Sequence, residues 1–184
     1  METPSVTDPR TSDDRRSTPL PDIGQSADER TTLVGFLDHQ RAVFRRKVED
    51  LDDVQVRSRV APSDLDLLGM VRHLTDVERW WFRGVFTAEV TDGVYESETD
   101  PDLDWHHAPD DRLVDALAAF DEEVSRAREV VTATEDLGTM SANGSGHRSY
   151  VSLRWILVHV IEEYARHCGH ADYLREAIDG VTGD

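Results

Sequence analysis

Glu163 and His167 stand four residues apart in the stretch VHVIEEYARHCGHADYLRE, residues 158–176, with His159 and His170 on either side. A spacing of four puts two side chains on one helix face. A carboxylate and an imidazole placed that way can share a hydrogen bond or ligate one metal ion. Both outcomes matter more if the face is buried, because an unpartnered carboxylate in an apolar setting costs several kcal/mol.

The helical arithmetic puts the pair inside the apolar stripe. At about 100° per residue, Ile156, Val160, Tyr164, Ala171 and Leu174 fall on one side of Glu163, and His167 lies about 40° from it, between Ile156 and Val160. His170 is close to Glu163 in angle, one turn beyond His167. His159 is on the stripe's margin, and Glu162 and Arg166 point to solvent. Cys168 falls about 140° from Glu163, where it reads as a small core residue rather than a nucleophile.

A second candidate donor is His73, at the edge of another apolar helix face, which also carries Glu78. Alone, a residue such as His73 is more often a satisfied core-edge histidine than a ligand. Glu78 suits a carboxylate that orients a ligating histidine, or one that pairs with an arginine such as Arg41. His73, Glu163 and His167 together make two imidazoles and one carboxylate. That donor set suits zinc first, then nickel, iron or manganese. Three protein ligands leave coordination positions open, which marks catalytic more than structural sites.

Four helical patterns must position these groups. The first covers roughly residues 28–50 through Leu33, Phe36, Leu37, Val43, Phe44 and Val48. The second runs from Ser63, as a capping box with Asp66, to about Thr87 through Leu67, Met70, Val71, Leu74, Val77, Trp81 and Val85. The third spans about 110–134 on Leu113, Leu117, Phe120, Val124, Ala127 and Val131. The fourth starts near Ser152 and ends near Gly180. No convincing strand interrupts them. The fold class is therefore all-α, a four-helix bundle. The acidic connection 89–109 is long, and the glycine-bearing connection 136–149 is expected to be mobile. Residues 1–27 hold few large apolar groups and are expected to form a disordered tail, leaving 28–184 as the bundle domain.

The 184 residues suggest one domain large enough to bury a core without staples. A net charge of -18 disfavours nucleic acid as a partner. Lys47 is the only lysine, an arginine bias expected of a GC-rich genome. One cysteine, no apolar run of spanning length and no signal segment give a cytoplasmic expectation with no membrane partner. No phosphate loop and no nucleophile elbow is present in the right context.

Residues 67–82, LLGMVRHLTDVERWWF, and residues 152–180, SLRWILVHVIEEYARHCGHADYLREAIDG, resemble the DinB-like superfamily of metal-binding four-helix bundles. That superfamily includes bacterial thiol-dependent transferases and the mycothiol-dependent maleylpyruvate isomerase. The chain is most similar to small proteins of high-GC Gram-positive bacteria, over about residues 28–183. The resemblance implies ligation by His73, Glu163 and His167. Many relatives carry histidine at both fourth-helix positions; Glu163 matches the isomerase pattern. The isomerase has an extra C-terminal domain, so maleylpyruvate is not carried over as substrate.

The expected function is a divalent-metal-dependent transferase or isomerase that uses a low-molecular-weight thiol. The resemblance and the arginine bias point to mycothiol as co-substrate, with an electrophile as its partner. His170 can contact thiol or substrate, or merely cap the polar rim. The alternative is a non-catalytic stress protein whose bundle binds a metal or small ligand. Trp80, Trp81 and Phe82 form an aromatic girdle too wide for one core. They motivate a homodimer, unless the 89–109 connection covers them.

Overall fold

The computed structural model describes residues 18–90, 92–96, 99–100, 102–144 and 149–183. Four α-helices carry it: α1 (Glu29–Val48), α2 (Leu67–Glu78), α3 (Leu113–Ala133) and α4 (Leu153–Asp179). α1 packs chiefly on α4 and α2 on α3, while α2 also meets α4 and so closes the bundle. No helix among the described residues is long and apolar enough to cross a membrane.

The helix ends follow from local chemistry. Asp28 caps α1 by accepting the Thr31 N–H at 2.9 Å, and Arg45, Arg46 and Lys47 face the negative end of its dipole. Ser152 caps α4, and Gly180 ends it in the left-handed region at φ 76°. The start of α2 departs from the sequence expectation. The cap is Asp66, which accepts the Gly69 N–H at 2.8 Å, whereas Ser63 accepts from Leu65 N–H in the preceding turn. Asp66 wins because it directly precedes the first apolar turn.

α2 does not run on as one regular helix to Thr87. From Arg79 to Phe86 the backbone widens into a π-helix, and Thr87 N–H reaches the Phe82 carbonyl five residues back. Trp81 and Phe82 are buried, and only Trp80 of the aromatic trio stays substantially exposed. The girdle is therefore largely inside the bundle.

The core is continuous across all four helices. Ile156, Val160, Tyr164, Ala171 and Leu174 are buried, as the α4 stripe predicts. Within this core, Arg41 donates to both oxygens of Glu78 at 2.8 and 2.7 Å, and Tyr164 donates to the same carboxylate at 2.8 Å. Burial opposes the Arg41 charge, but the adjoining Glu78 carboxylate overcomes it and holds the guanidinium ionised. Glu78 thus pairs with arginine, and its oxygens are committed away from the histidines.

Two connections are better ordered than their composition suggests. Ala142 and Asn143 N–H groups donate to Phe86 and Val85 carbonyls, and Leu153 N–H donates to Thr139, fixing the described part of 136–149. Residues 145–148, which include His147, lie outside the described residues. Upstream of α1, Thr18 donates to Glu49 at 2.6 Å, Arg46 donates to the Thr18 carbonyl, and Leu20 packs on the core. The segment from residue 18 is thus held against the bundle; residues 1–17 lie outside the described residues.

Candidate metal centre

His73 projects from α2, and Glu163 and His167 project from neighbouring turns of α4. One donor atom from each lies within 4.8 Å of the other two. Among the described residues, this is the trio of His, Cys, Asp or Glu groups close enough to share an ion. Side-chain exposure is 26% at His73, 14% at Glu163 and 8% at His167, so the trio opens to solvent on the His73 side.

The donors converge without satisfying one another. His167 Nε2 is 3.7 Å from Glu163 Oε2, beyond a hydrogen bond. The buried Glu–His hydrogen-bonded pair considered above is therefore not formed. His167 Nδ1 is buried with no hydrogen-bond partner among the described residues, at a cost of about 1–3 kcal/mol. Burial first, then the His73 and His170 rings and Arg166, push the His167 imidazolium down to about 4. At neutral pH its nitrogen lone pair is free to ligate.

His73 is oriented from its far side. Its Nδ1 lies 2.8 Å from Asp104 Oδ2. The tautomer that donates this proton leaves Nε2 unprotonated, the arrangement ligating histidines favour. Trp105 then packs on His73, the rings tilted by 30° with centroids 5.0 Å apart, and its centroid lies 6.1 Å from that of His167. The indole fits because Gly69 has no side chain: a Cβ there would stand 2.8 Å from Trp105 Cε3.

The connection bearing Asp104 and Trp105 is stapled to α2. Arg72 donates to the Leu103 and Asp104 carbonyls and to the Asp111 carboxylate at 2.6, 3.0 and 2.5 Å. Asp76 accepts the Val94 and Tyr95 N–H groups. The His107 side chain is buried, with Nε2 2.9 Å from the cap residue Asp66. His106 is exposed and pairs with Asp100.

On the other flank, His159 Nε2 comes to 3.7 Å from Glu163 Oε1. Its ring stacks on Trp155 at 4.9 Å and meets Trp81 edge-on at 4.6 Å. Arg166 holds Glu162 at 2.6 Å and reaches Glu163 more loosely, at 3.4 Å, so it is not wholly solvated. His170 is exposed, its ring centroid 5.5 Å from that of His167. Cys168 is buried as expected, and burial pushes its thiol up to about 12.

A model of the mycothiol-S-transferase family matches residues 32–180, which takes in α2, the stapled connection and α4. The chain belongs to this family. No curated protein matches it. The match agrees with the resemblance to DinB-like bundles, and the four helices with the bundle fold.

For a chain of the mycothiol-S-transferase family, the donor trio is the feature most directly suited to thiol chemistry. The donor chemistry fits a divalent ion: a neutral, buried imidazole, a second imidazole backed by a carboxylate, and one partly exposed carboxylate. Sequence reasoning missed Asp104 and Trp105. Asp104 lies among many acids between 96 and 111, and nothing local distinguishes it. The one available signal was a Trp105–His106–His107 run in an otherwise acidic connection.

Proposed function

We propose that this chain is a divalent-metal-dependent transferase that joins mycothiol to an electrophile, with His73, Glu163 and His167 as the metal ligands. The observation that carries this reading is the convergence of three donors from two helices, with His167 Nδ1 buried and unpartnered among the described residues, in a chain of the mycothiol-S-transferase family. Zinc suits two nitrogens and one carboxylate best; nickel is the next choice.

A free thiol has a pKa near 8.5, so at neutral pH it is mostly the unreactive protonated form. A divalent ion in this site supplies the charge that makes the thiolate the stable form. The protein's part is placement and exclusion of water. His73 is held to one tautomer and one ring orientation by Asp104. His167 offers a lone pair because burial keeps it neutral. Trp105 covers the imidazoles on one side, and Trp81 with His159 walls the other. The thiol proton leaves to solvent along the His73 side, where the trio is most open. The sulfur then bonds to an electrophilic carbon as one bond of that carbon breaks: a halide departs with the electron pair, whereas an epoxide oxygen takes the pair, stays attached and picks up a proton from solvent. His170 stands at the exposed rim, where it can meet the incoming thiol. Cys168 takes no part.

The test is mycothiol consumption with a panel of alkyl halide and epoxide electrophiles. Turnover by the wild type that falls to background in His73→Ala, with the fold intact by circular dichroism, is the expected result. Undiminished turnover in His73→Ala would remove the metal-ligand assignment.

A further inference from the structure

Beside the donor trio lies a cleft of about 320 Å³, lined by His73, Asp76, Val77, Trp80, Trp81, Glu96 and Asp104. Its volume is at the lower end of ligand pockets, which run to roughly 300–1,000 Å³. Resting on the transferase reading above, we propose that this cleft is the subsite for the sugar portion of the thiol substrate, with Trp80 as stacking platform and the carboxylates as hydroxyl acceptors.

The cleft shares His73 with the trio, so a molecule lying in it ends at the donors. Its chemistry is selective. Asp76, Glu96 and Asp104 repel phosphate, sulfate and carboxylate ligands. Carboxylates accept strong, charge-assisted hydrogen bonds from hydroxyl donors. Each oxygen of Asp76 accepts one loop N–H and keeps a second lone pair. Asp104 is likewise bonded once at each oxygen, to His73 and to Trp105 N–H.

Acidic groups alone would be a solvated patch; the indoles make it a site. Trp80 is 40% exposed, yet its orientation is set, because its ring lies over Gly84, where a Cβ would come to 3.1 Å of Cε3. The π-helical turn of Arg79–Phe86 brings adjacent Trp80 and Trp81 onto one cleft. An aromatic face with a negative quadrupole attracts the weakly positive C–H groups of a sugar ring. Indoles and acceptors around a small cleft therefore describe an uncharged polyol. Mycothiol is a cysteine derivative amide-linked to glucosamine, which is bonded in turn to inositol: sulfur at one end, hydroxyl-rich rings at the other.

The same chemistry would take a sugar-bearing electrophile, and the experiment separates the two. On the full chain, initial rates are measured with mycothiol and with N-acetylcysteine, which lacks the rings, for wild type, Trp80→Ala and Glu96→Gln. N-acetylglucosaminyl-inositol, which lacks sulfur but keeps the neutral amide nitrogen, is titrated calorimetrically into the same proteins after metal removal. The expected result is a mycothiol KM raised roughly tenfold in Trp80→Ala and less in Glu96→Gln, with the KM values for N-acetylcysteine and electrophile unmoved. N-acetylglucosaminyl-inositol binding weakens in parallel. An unchanged mycothiol KM, a shift shared with N-acetylcysteine, or a shift in the electrophile KM instead would each overturn the assignment. If no thiol is turned over, the transferase reading fails and the titration alone decides: binding weakened by Trp80→Ala upholds the cleft, and no binding overturns it.

Discussion

Asp104 Oδ2 lies 2.8 Å from Nδ1 of His73, joining a connection between helices to the donor set in the bundle. Carboxylates that back a ligating histidine typically contribute 10–100-fold in metal affinity. Asp104→Ala should therefore keep the metal at saturating concentration but lose it roughly 10–100-fold more readily to a chelator, as read by competition with a chromophoric dye. Asp104→Asn should fall between, since an amide oxygen still accepts the His73 proton.

Asp104 also shows what was legible and what was not. The ligand candidates were readable because helical periodicity converts spacing into direction: Glu163, His167 and the buried Tyr164 stripe follow from about 100° per residue. Glu78 left two readings open, and Arg41 resolves them through a contact 37 residues apart in sequence. Asp104 reaches His73 from 31 residues away, at the far end of an irregular connection whose course depends on Arg72 and Asp76 staples that no periodicity encodes. Likewise the π-helix of Arg79–Phe86 leaves the spacing of apolar residues unchanged enough to read as ordinary helix.

Trp105 should be sensitive to the residue beneath it. Gly69→Ala gains up to about 1 kcal/mol of helix propensity. The new Cβ would stand 2.8 Å from Trp105 Cε3, and overpacking of that kind costs about 1–3 kcal/mol. The clash outweighs the propensity. Gly69→Ala should lower thermal stability, shift tryptophan emission to the red as the Trp105 indole is displaced, and weaken metal binding. Unaltered emission together with raised stability would show that Trp105 does not rest on Gly69.

His167 makes the metal-stripped protein sensitive to acid. Its folded-state value of about 4 lies below the ordinary 6.5. The unfolded chain therefore binds a proton that the folded chain does not between those two pH values, so stability falls as pH drops from about 6.5 to about 4 and this contribution is flat below. The full effect is on the order of 3 kcal/mol. Carboxylates titrate in the same range, so the measurement is the difference in urea-unfolding free energy between wild type and His167→Gln at pH 7 and pH 4. The variant should lose less on acidification.

Cys168 should be inert. Its thiol, pushed up to about 12 by burial, stays protonated across the physiological range and is covered by the α1–α4 interface. Iodoacetamide at pH 8 should label the native protein far more slowly than the urea-unfolded protein, and Cys168→Ala should keep metal content and thiol-transfer activity, with a stability loss of about 1 kcal/mol. Rapid native labelling, or lost activity in Cys168→Ala, would bring this thiol into the chemistry.

The most direct measurement of the central claim is metal content by inductively coupled plasma mass spectrometry. Untagged wild type is compared with His73→Ala and Glu163→Ala, each as purified and after reconstitution with zinc and with nickel. The arrangement of His73, Glu163 and His167 predicts about one divalent ion per chain in the wild type, lost in both variants while their helical content is retained. A wild type that takes up neither metal, or variants that keep a stoichiometric ion, would contradict it.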